Sequence, residues 1–297
     1  MVDVIKNNDL DLLHVHYAIP HASAAYMAKR ILEKEGEQIP VITTLHGTDI
    51  TLVGRDKMYA PVVAFSINQS DAITAVSGNL RDETNKTFKI EKEIEVIYNF
   101  VDVQRFTRKP IDAFRKVIAP NGERILLHAS NFRKIKRVQD VVKIFHEVHS
   151  QLPSKLLFVG DGPERQMAEE LSRSLGVCDD VRFVGKQEQM EDILAIADLF
   201  LLTSDYESFG LAALEAMAAG VPVVSTNAGG LGEIMIQGET GYMANIGDIA
   251  SMSKYALDIL THDDVLRKFK INAAEHAKKY DISNIIPVYE KLYERFL

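Results

Sequence analysis

Short, almost wholly apolar runs alternate with amphipathic stretches along nearly the whole chain, and this alternation limits the folds that the sequence can adopt. Many of the intervening stretches have the apolar spacing of a helix, as in RVQDVVKIFHEVHSQL at 137–152. Strands that are apolar on both faces and separated by helices form parallel sheets covered by helices. The sequence therefore predicts an α/β protein. The strand-like runs lie at residues 11–17, 41–47, 72–77, 94–100, 124–130, 155–162, 181–186, 199–204 and 221–226.

Charged residues, two prolines and a glycine cluster between residues 101 and 123, where the alternation weakens. This composition is typical of a connection between two domains. We therefore predict two Rossmann-like, doubly wound domains at 1–102 and 123–279, a linker at 103–122 and a C-terminal helix at 280–297. The carboxyl ends of the two sheets are expected to face a shared cleft, because such sheets bind their ligands there.

The bulk composition excludes several functional classes. The 297 residues are 46% hydrophobic and 26% charged, as in soluble globular proteins, and the net charge of −8 argues against a nucleic-acid partner. No apolar run is long enough to cross a membrane, and the charged N-terminus is unlike a signal peptide. The single cysteine, Cys178, cannot form an internal disulfide. We expect a cytoplasmic protein with no membrane partner, and the sequence leaves open whether it forms a homo-oligomer.

An almost wholly small and apolar run lies between two glutamates in SDYESFGLAALEAMAAGVPVV, residues 204–224. The helix predicted after ESFG consists largely of Leu, Ala and Met, so it is expected to be buried on most sides. The first N–H groups of a helix have no partner within it. They form a ready site for an anion, and Gly210 would let that anion approach the backbone closely.

Glu207 precedes this helix and Glu215 lies inside it. At ~3 Å per extended residue and ~1.5 Å per helical residue, the carboxylates are on the order of 10 Å apart, too far to share a proton or one metal ion. The distance suits a sugar nucleotide with its diphosphate at the helix start, sugar hydroxyls on Glu207 and ribose hydroxyls on Glu215. Either glutamate alone is better explained as a solvated acid, but the pair around SFG favours a ligand site.

The segment SNFRKIKRV at 130–138 follows a predicted strand and contains Arg133, Lys134, Lys136 and Arg137. Arginine binds phosphate through two parallel hydrogen bonds, and lysine supplies a flexible point charge. Basic turns are commonly only solvated, and we expect this of two of the four residues. Arg133 and Lys136 are predicted to stabilise the negative charge of the diphosphate.

The remaining glycine and histidine motifs carry weaker signals. NAGGLGE at 227–233 is a second glycine loop whose amides can face a ligand, whereas VGDGPE at 159–164 is interpreted as a structural turn. His46 ends a strand of the first domain beside a glycine, which favours a functional role. His14 and His16 alternate onto one strand face, but no third residue has metal-ligand spacing, so no metal site is predicted.

Four motifs together resemble the retaining glycosyltransferases of family four, which have the two-domain GT-B fold. They are the two glutamates of ESFGLAALE, the loop GGLGE, the basic segment NFRKIKRV and LHGTD, and the resemblance covers essentially the whole chain. HVHYAIPHA, TTLHGTDITLVG, VSGNLRDET and SNFRKIKRVQDV carry a closer resemblance within the family. It implies transfer of N-acetylglucosamine from UDP-GlcNAc to L-malate, the first step of bacillithiol biosynthesis.

The resemblance also implies roles for individual residues. Glu207 would hold the hydroxyls of the transferred sugar and Glu215 the uridine ribose, while Arg133 and Lys136 would stabilise the departing UDP. Further donor contacts would come from His46 near the reacting centre, from the backbone of Val184 and Gly185 at the uracil, and from the amides of Phe209, Gly210 and Leu211. In such enzymes the acceptor attacks on the face that UDP leaves, and a phosphate oxygen takes the proton. The UDP-sugar is then a substrate, and no metal or other cofactor is expected.

A small dicarboxylate acceptor such as L-malate needs cations and hydroxyl donors, which we expect in the first domain. The candidates are Tyr17, Thr48 and Arg55, with Arg81 as a second choice inside a helix. Members of the family begin with a strand and a glycine-rich loop that this sequence lacks before DLLHVHY. We therefore expect the first domain to be incomplete at its N-terminus, and the chain as it stands to be inactive if that segment is required.

Three alternatives remain open at the level of sequence. One is a family-four transferase with another acceptor, such as an inositol phosphate, a lipid-linked sugar or a glucan. A lipid acceptor predicts a basic amphipathic helix, and the mixed charges of AYMAKRILEKEG argue against it. The others are a sugar-nucleotide epimerase of the same layout and a non-catalytic protein that binds UDP-sugars.

Overall fold

A computed structural model describes residues 1–53, 56, 58–107 and 112–297. The chain forms two compact units, which we call unit 1 (Met1–Asn99 with Ser283–Leu297) and unit 2 (Phe100–Ile282). The described residues of the stretch interpreted as a linker, 103–122, contain two short helices and lie within unit 2. The C-terminal helix lies in unit 1, apart from its first residue.

Unit 1 contains a four-stranded parallel sheet in the order β1-β2-β3-β4. Every residue of β2 and β3 is buried, as predicted for strands covered on both faces. Their threonines are compatible with this burial because the hydroxyls pair across strands, as for Thr44 and Thr74 at 2.6 Å. The strands are β1 Leu13–His16, β2 Val41–Leu45, β3 Ala72–Ala75 and β4 Ile94–Val96. The helices are α1 Val2–Asn8, α2 Ser23–Lys34, α3 Ala60–Asn68, α4 Gly78–Thr87 and, at the chain end, α14 Ile282–Tyr293.

Unit 2 contains a six-stranded parallel sheet in the order β10-β9-β8-β5-β6-β7. Its strands are β5 Arg124–Ser130, β6 Ser154–Gly160, β7 Val181–Gly185, β8 Leu199–Leu202, β9 Val223–Thr226 and β10 Gly241–Ala244. Its helices are α5 Val103–Phe106, α6 Asp112–Ile118, α7 Val138–His149, α8 Arg165–Ser174, α9 Met190–Leu194, α10 Leu211–Ala218, α11 Leu231–Ile234, α12 Ile249–Leu260 and α13 Asp263–Ala277. The predicted α/β class and the nine predicted strands are confirmed, whereas β10 was not predicted.

The strand order of unit 2 reverses between β5 and β8. From β5 the chain adds β6 and β7 on one side, and it then returns to add β8, β9 and β10 on the other. Ligands of open α/β sheets bind at such a switch point, beyond the carboxyl ends of the strands. The loops that follow β5 and β8 are the ones that carry the predicted basic segment and Glu207.

The core of unit 2 is built from both faces of this sheet and the helices that cover them. Phe132, Phe145 and Phe158 are fully buried, and the rings of Phe158 and Phe183 stack at 4.7 Å. Asp198, at the entry to β8, forms ion pairs with Arg115 at 2.6 Å and Lys270 at 2.8 Å, which join α6 and α13 to the sheet. In the described part of the chain, no helix has both the length and the hydropathy needed to span a bilayer.

Candidate active site

Glu207 lies in the loop between β8 and α10, where its side chain is only 13% exposed. The ammonium of Lys136 lies 2.6 Å from Oε1 of this carboxylate, and the hydroxyl of Ser204 donates to the same oxygen at 2.7 Å. The loops after β5 and β8 are thus joined by an ion pair at the switch point. The structure brings together Glu207 and one of the two cations predicted for the diphosphate.

The main chain of Glu207 is fixed by the glycine loop that follows β9. The amide of Gly230 donates to the Glu207 carbonyl at 2.8 Å. Gly229 has φ +62°, and a Cβ atom there would lie 2.0 Å from that carbonyl oxygen. The sequence allows amides of this loop to face a ligand, but the Gly230 amide donates to the carbonyl of Glu207. The close approach explains why glycine is required at position 229.

The helix α10 begins immediately after this loop. Its first backbone hydrogen bonds are donated by Ala213 and Leu214 to the carbonyl of Gly210, so the preceding amides at the helix start have no acceptor within the helix. Gly210 has φ +95°, and a Cβ atom there would lie 2.4 Å from Leu231 Cδ2. The ring of Phe209 is buried and packs edge-on against Tyr280 at 6.0 Å, whereas Leu211 is 42% exposed. Glycine at position 210 thus leaves room beside Leu231 at the start of α10.

Glu215 is a partly buried residue on α10. Burial raises the pKa of its carboxyl, the nearby positive charge of Arg105 opposes that rise, and Glu191 adds to it. Arg105 lies on α5 and forms an ion pair with Glu191 at 3.2 Å. A carboxylate held in these surroundings is more costly than a solvated one, which argues against the reading of Glu215 as a simple surface acid.

The four cations of the basic segment have different environments. Arg137 has the left-handed φ of +50°, and its guanidinium pairs with Asp140 at 2.7 Å and Asp205 at 3.2 Å. It is therefore a structural residue that holds the two loops together. Arg133 and Lys134 are both exposed, and neither forms an ion pair with a described residue. Lys136 is the one that contacts Glu207.

A buried polar network supports the loop that presents Arg133. The imidazole of His128 is fully buried between the carbonyl of Leu201, at 2.9 Å, and the hydroxyl of Ser130, at 2.8 Å. Ser130 Oγ in turn accepts a hydrogen bond from the amide of Phe132 at 3.2 Å. Burial lowers the pKa of His128 to about 4, so the imidazole is neutral at pH 7 and its role here is to orient the loop.

The VGDGPE loop fits against the same segment. Cβ atoms at Gly160 and Gly162 would lie 1.8 Å and 2.0 Å from the carbonyl oxygens of Ser130 and Asn131. The amide of Glu164 donates to the carbonyl of Phe132 at 2.9 Å. The glycines of this turn therefore shape the loop before Arg133, in agreement with a structural role.

Val184 and Gly185 end β7, and both are partly buried. Gln187 Nε2 donates to the carbonyl of Val184 at 2.7 Å, so that carbonyl is already occupied. Val184 also lines a cavity of about 470 Å³ together with Gln187, Gln189 and Asp192. Val184 thus lies beside a cavity with three polar lining residues and an otherwise apolar wall, which includes Phe114 and Leu157.

His46 directly follows β2 in unit 1 and lies in a cluster of aromatic and imidazole rings. Its Nε2 lies 2.8 Å from Nδ1 of His16, and the Tyr17 ring lies 5.0 Å away. Burial, with the nearby His16 and His14 imidazoles, lowers the pKa of His46 to about 4. At neutral pH the side chain is uncharged and can exchange hydrogen bonds, but it does not supply a cation to an acceptor.

Tyr17 has an unusual backbone conformation for a residue with a side chain, with φ 75° and ψ 138°. The next amide, that of Ala18, donates to the buried carboxylate of Asp49 at 2.5 Å, and the Tyr17 amide donates to Thr44 at 2.9 Å. Non-glycine residues in such a conformation cost ~1–3 kcal/mol and persist where surrounding contacts enforce them, commonly at functional sites. This conformation supports the selection of Tyr17.

The other acceptor candidates are less constrained. Thr48 is exposed in the loop after β2. Arg55 lies outside the described residues. Arg81 lies on α4, where its Nε pairs with the adjacent Asp82 at 2.8 Å.

The sequence did not single out four residues that contact the candidate site or support it. They are Ser204, Arg105, His128 and Asp49. Ser204 is three positions before Glu207 in the same SDYESFG motif, so its position was a usable signal. The others depend on tertiary contacts that the sequence pattern does not encode.

Two family descriptions match the chain, one for each half. "Glycosyltransferase Family 4" matches residues 1–105, and "Glycosyl transferases group 1" matches residues 111–276. These matches confirm the resemblance drawn from the motifs.

Individual relatives agree with the family matches. The chain is 42% identical over 295 residues to N-acetyl-alpha-D-glucosaminyl L-malate synthase of Bacillus anthracis. The matched region covers 99% of this chain and 77% of that protein. It is 29% identical over 265 residues to glycogen synthase of Mycobacterium tuberculosis, covering 84% of this chain and 60% of that protein, less than two thirds of its length.

Solved structures confirm the predicted fold class. Anabaena HepE in complex with UDP-glucose superposes with a TM-score of 0.86 at 20% identity, covering 99% of this chain and 80% of that one. The fold is the α/β GT-B glycosyltransferase fold. With both halves matched and a 42% identical relative covered over 77% of its length, the chain belongs to glycosyltransferase family 4.

Proposed function

We propose that this chain transfers N-acetylglucosamine from UDP-GlcNAc to L-malate, with retention of configuration at the anomeric carbon and release of UDP. This is the first step of bacillithiol biosynthesis. The 42% identity to a protein named for this reaction supports the choice of substrates. The observation that carries the chemistry is the partly buried contact between Glu207 and Lys136, next to the first amides of α10.

In this proposal unit 2 binds the donor. The diphosphate lies at the start of α10, where the amides of Phe209, Gly210 and Leu211 and the cations of Arg133 and Lys136 stabilise its charge. Glu207 accepts hydrogen bonds from the hydroxyls of the sugar. At the other end of the donor, Glu215 accepts those of the ribose, and the backbone at Val184 and Gly185 contacts the uracil.

The reaction follows from this charge distribution. The bond between the anomeric carbon and the β-phosphate oxygen breaks, and a bond from the acceptor hydroxyl forms on the same face. The proton of that hydroxyl passes to an oxygen of the departing phosphate. Negative charge grows on that phosphate, and the cations fixed near it lower the barrier. The proposal requires no protein nucleophile, metal or other cofactor.

Residues of unit 1 are proposed to bind the acceptor. His46, neutral at pH 7, exchanges hydrogen bonds near the reacting centre, and the hydroxyls of Tyr17 and Thr48 donate to the acceptor carboxylates. Arg55 is retained as the proposed cation for a dicarboxylate, although it lies outside the described residues. The proposed location of the enzyme is the cytoplasm.

The experiment that tests the function is a UDP-release assay of the purified protein with UDP-GlcNAc and a panel of small acceptors. The expected result is release that depends on L-malate, with an α-linked product. The control acceptors are succinate, which lacks the hydroxyl, an inositol phosphate and a short glucan. Release with a control acceptor but not with L-malate would assign another acceptor, and binding of UDP-GlcNAc with no release in any arm would leave a non-catalytic binding protein.

Glu215→Ala is expected to weaken the binding of UDP by ~1–3 kcal/mol, the free energy of a buried hydrogen bond that is no longer made. The measurement is calorimetric titration with UDP. Inorganic pyrophosphate, which has no uridine, serves as the control ligand. Pyrophosphate affinity should not fall, because it has no ribose. Unchanged affinity for UDP would rule out the ribose role of Glu215.

A further inference from the structure

The two carboxylate oxygens of Glu207 have different environments. Oε1 accepts a hydrogen bond from Lys136 at 2.6 Å and another from Ser204 at 2.7 Å. Oε2 accepts none from the residues that the structure describes, and the side chain keeps 13% exposure. One oxygen is therefore anchored by the protein, and the other is available to a ligand.

Lys136 is a poor sole anchor for Oε1. In the proposed function its ammonium also stabilises the diphosphate, so the doubly charged ligand competes with Glu207 for the same cation. Although an ammonium has three donors, it is a point charge on a flexible stem and follows the stronger field. The arrival of the donor would therefore weaken one of the two bonds that orient Glu207.

Ser204 does not have this weakness. It is fully buried, and its carbonyl accepts the hydroxyl of Thr226 on β9 at 2.6 Å. The adjacent Thr203 hydroxyl donates to the carbonyl of Lys136 at 2.9 Å. The Ser204 hydroxyl is neutral, so a phosphate does not draw it away, and the backbone that carries it is tied to both neighbouring loops.

We propose that Ser204 is a positioning residue that holds Oε1 of Glu207, so that Oε2 faces the donor and accepts a hydroxyl of the transferred sugar. The inference rests on the proposed function and deepens it, because it assigns recognition of the sugar ring to an oriented pair of residues. Ser204 then affects the binding of a ligand that carries a hydroxyl-bearing ring beyond the diphosphate. Ser204 does not affect the binding of the nucleotide part of the donor.

The test compares the affinities of UDP and UDP-GlcNAc in the variant S204A by calorimetric titration. We expect the affinity for UDP to stay within about twofold and the affinity for UDP-GlcNAc to fall by about five- to tenfold, as for the loss of one hydrogen bond of ordinary strength. The matched control is S172A, which removes another buried hydroxyl of unit 2, one that donates to Glu169 within α8 at 2.8 Å. S172A should change neither affinity.

A double-mutant cycle separates positioning from a general effect on stability. In an E207A background, S204A should cause no further change in the ratio of the two affinities, because the group that it orients is gone. Equal loss for UDP and UDP-GlcNAc, or a further loss in the E207A background, would overturn the proposal. If alanine prevents folding, S204C, which is close in size and only a weak donor, should show the same selective loss.

Failure of this inference is distinguishable from failure of the proposed function. The binding titrations need no acceptor, so a selective loss in S204A stands even if L-malate is not the acceptor. Normal transfer to L-malate by the wild-type protein, together with an unchanged affinity ratio in S204A, would reject the role of Ser204 alone.

Discussion

Replacement of Glu207 by alanine is expected to reduce transfer by about 10³-fold while the protein still binds UDP. The carboxylate is proposed to hold the sugar hydroxyls, and loss of one preorganised contact to the reacting group costs about 10²–10³ in rate. The same change frees Lys136 from its ion partner at 2.6 Å, so the affinity for UDP should stay the same or rise.

Two measurements check this prediction on the same sample: UDP release under saturating donor, and titration with UDP. Glu207→Gln serves as the isosteric comparison, because it keeps the volume but replaces one acceptor oxygen with a donor amide. Normal turnover in the alanine variant would remove Glu207 from the site. Loss of UDP binding would instead show that the carboxylate holds the loop rather than the sugar.

Removal of the Lys136 ammonium is the second change with a large expected effect. Lys136→Ala should lower the rate of transfer by ~10²–10³-fold and should also weaken the binding of UDP. The reason is that this cation is proposed to stabilise the diphosphate both in the bound donor and while UDP departs. It also leaves Glu207 only 13% exposed and without its counter-charge, which adds to the loss.

Lys134→Ala is the matched control for this variant. Lys134 lies two positions earlier in the same short 3-10 helix, is exposed, and forms no ion pair with a described residue. Its replacement should leave transfer within about twofold of wild type. Equal losses in the two variants would mean that the net charge of the segment matters rather than the position of one ammonium.

The strands were predictable because burial on both faces of a parallel sheet leaves a direct signature in the sequence. The run at 124–130 coincides with β5, and the others differ from the observed strands mainly at their ends. The run at 11–17 overshoots β1 because the chain turns at Tyr17. The strand β10 was not predicted because Gly241 and its neighbours look like a turn. A Cβ atom at 241 would lie 1.8 Å from the carbonyl of Val223, so a glycine makes this edge pairing possible.

The loops of the site could be located from the sequence, but their contacts could not. Position after a strand end located the segment that holds Arg133 and Lys136, and the pair of glutamates around SFG selected Glu207. That Lys136 touches Glu207 depends on β5 and β8 being neighbours, and the order of strands along the chain does not determine this. The sequence also gave no reason to pair Glu215 with the charge of Arg105, which lies in the stretch interpreted as a linker.

Because β8 follows β6 and β7 in the chain but pairs with β5, the two halves of the proposed donor site are synthesised at different times. A nascent chain that stops short of β8 contains Arg133 and Lys136 but not Glu207. The pairing of β8 with β5 spans more of the sequence than the pairings on either side, so closing it costs more chain entropy. In the proposed function, binding of the nucleotide sugar therefore requires that β8 has joined β5, and the ligand in turn stabilises only the state in which both loops are in place.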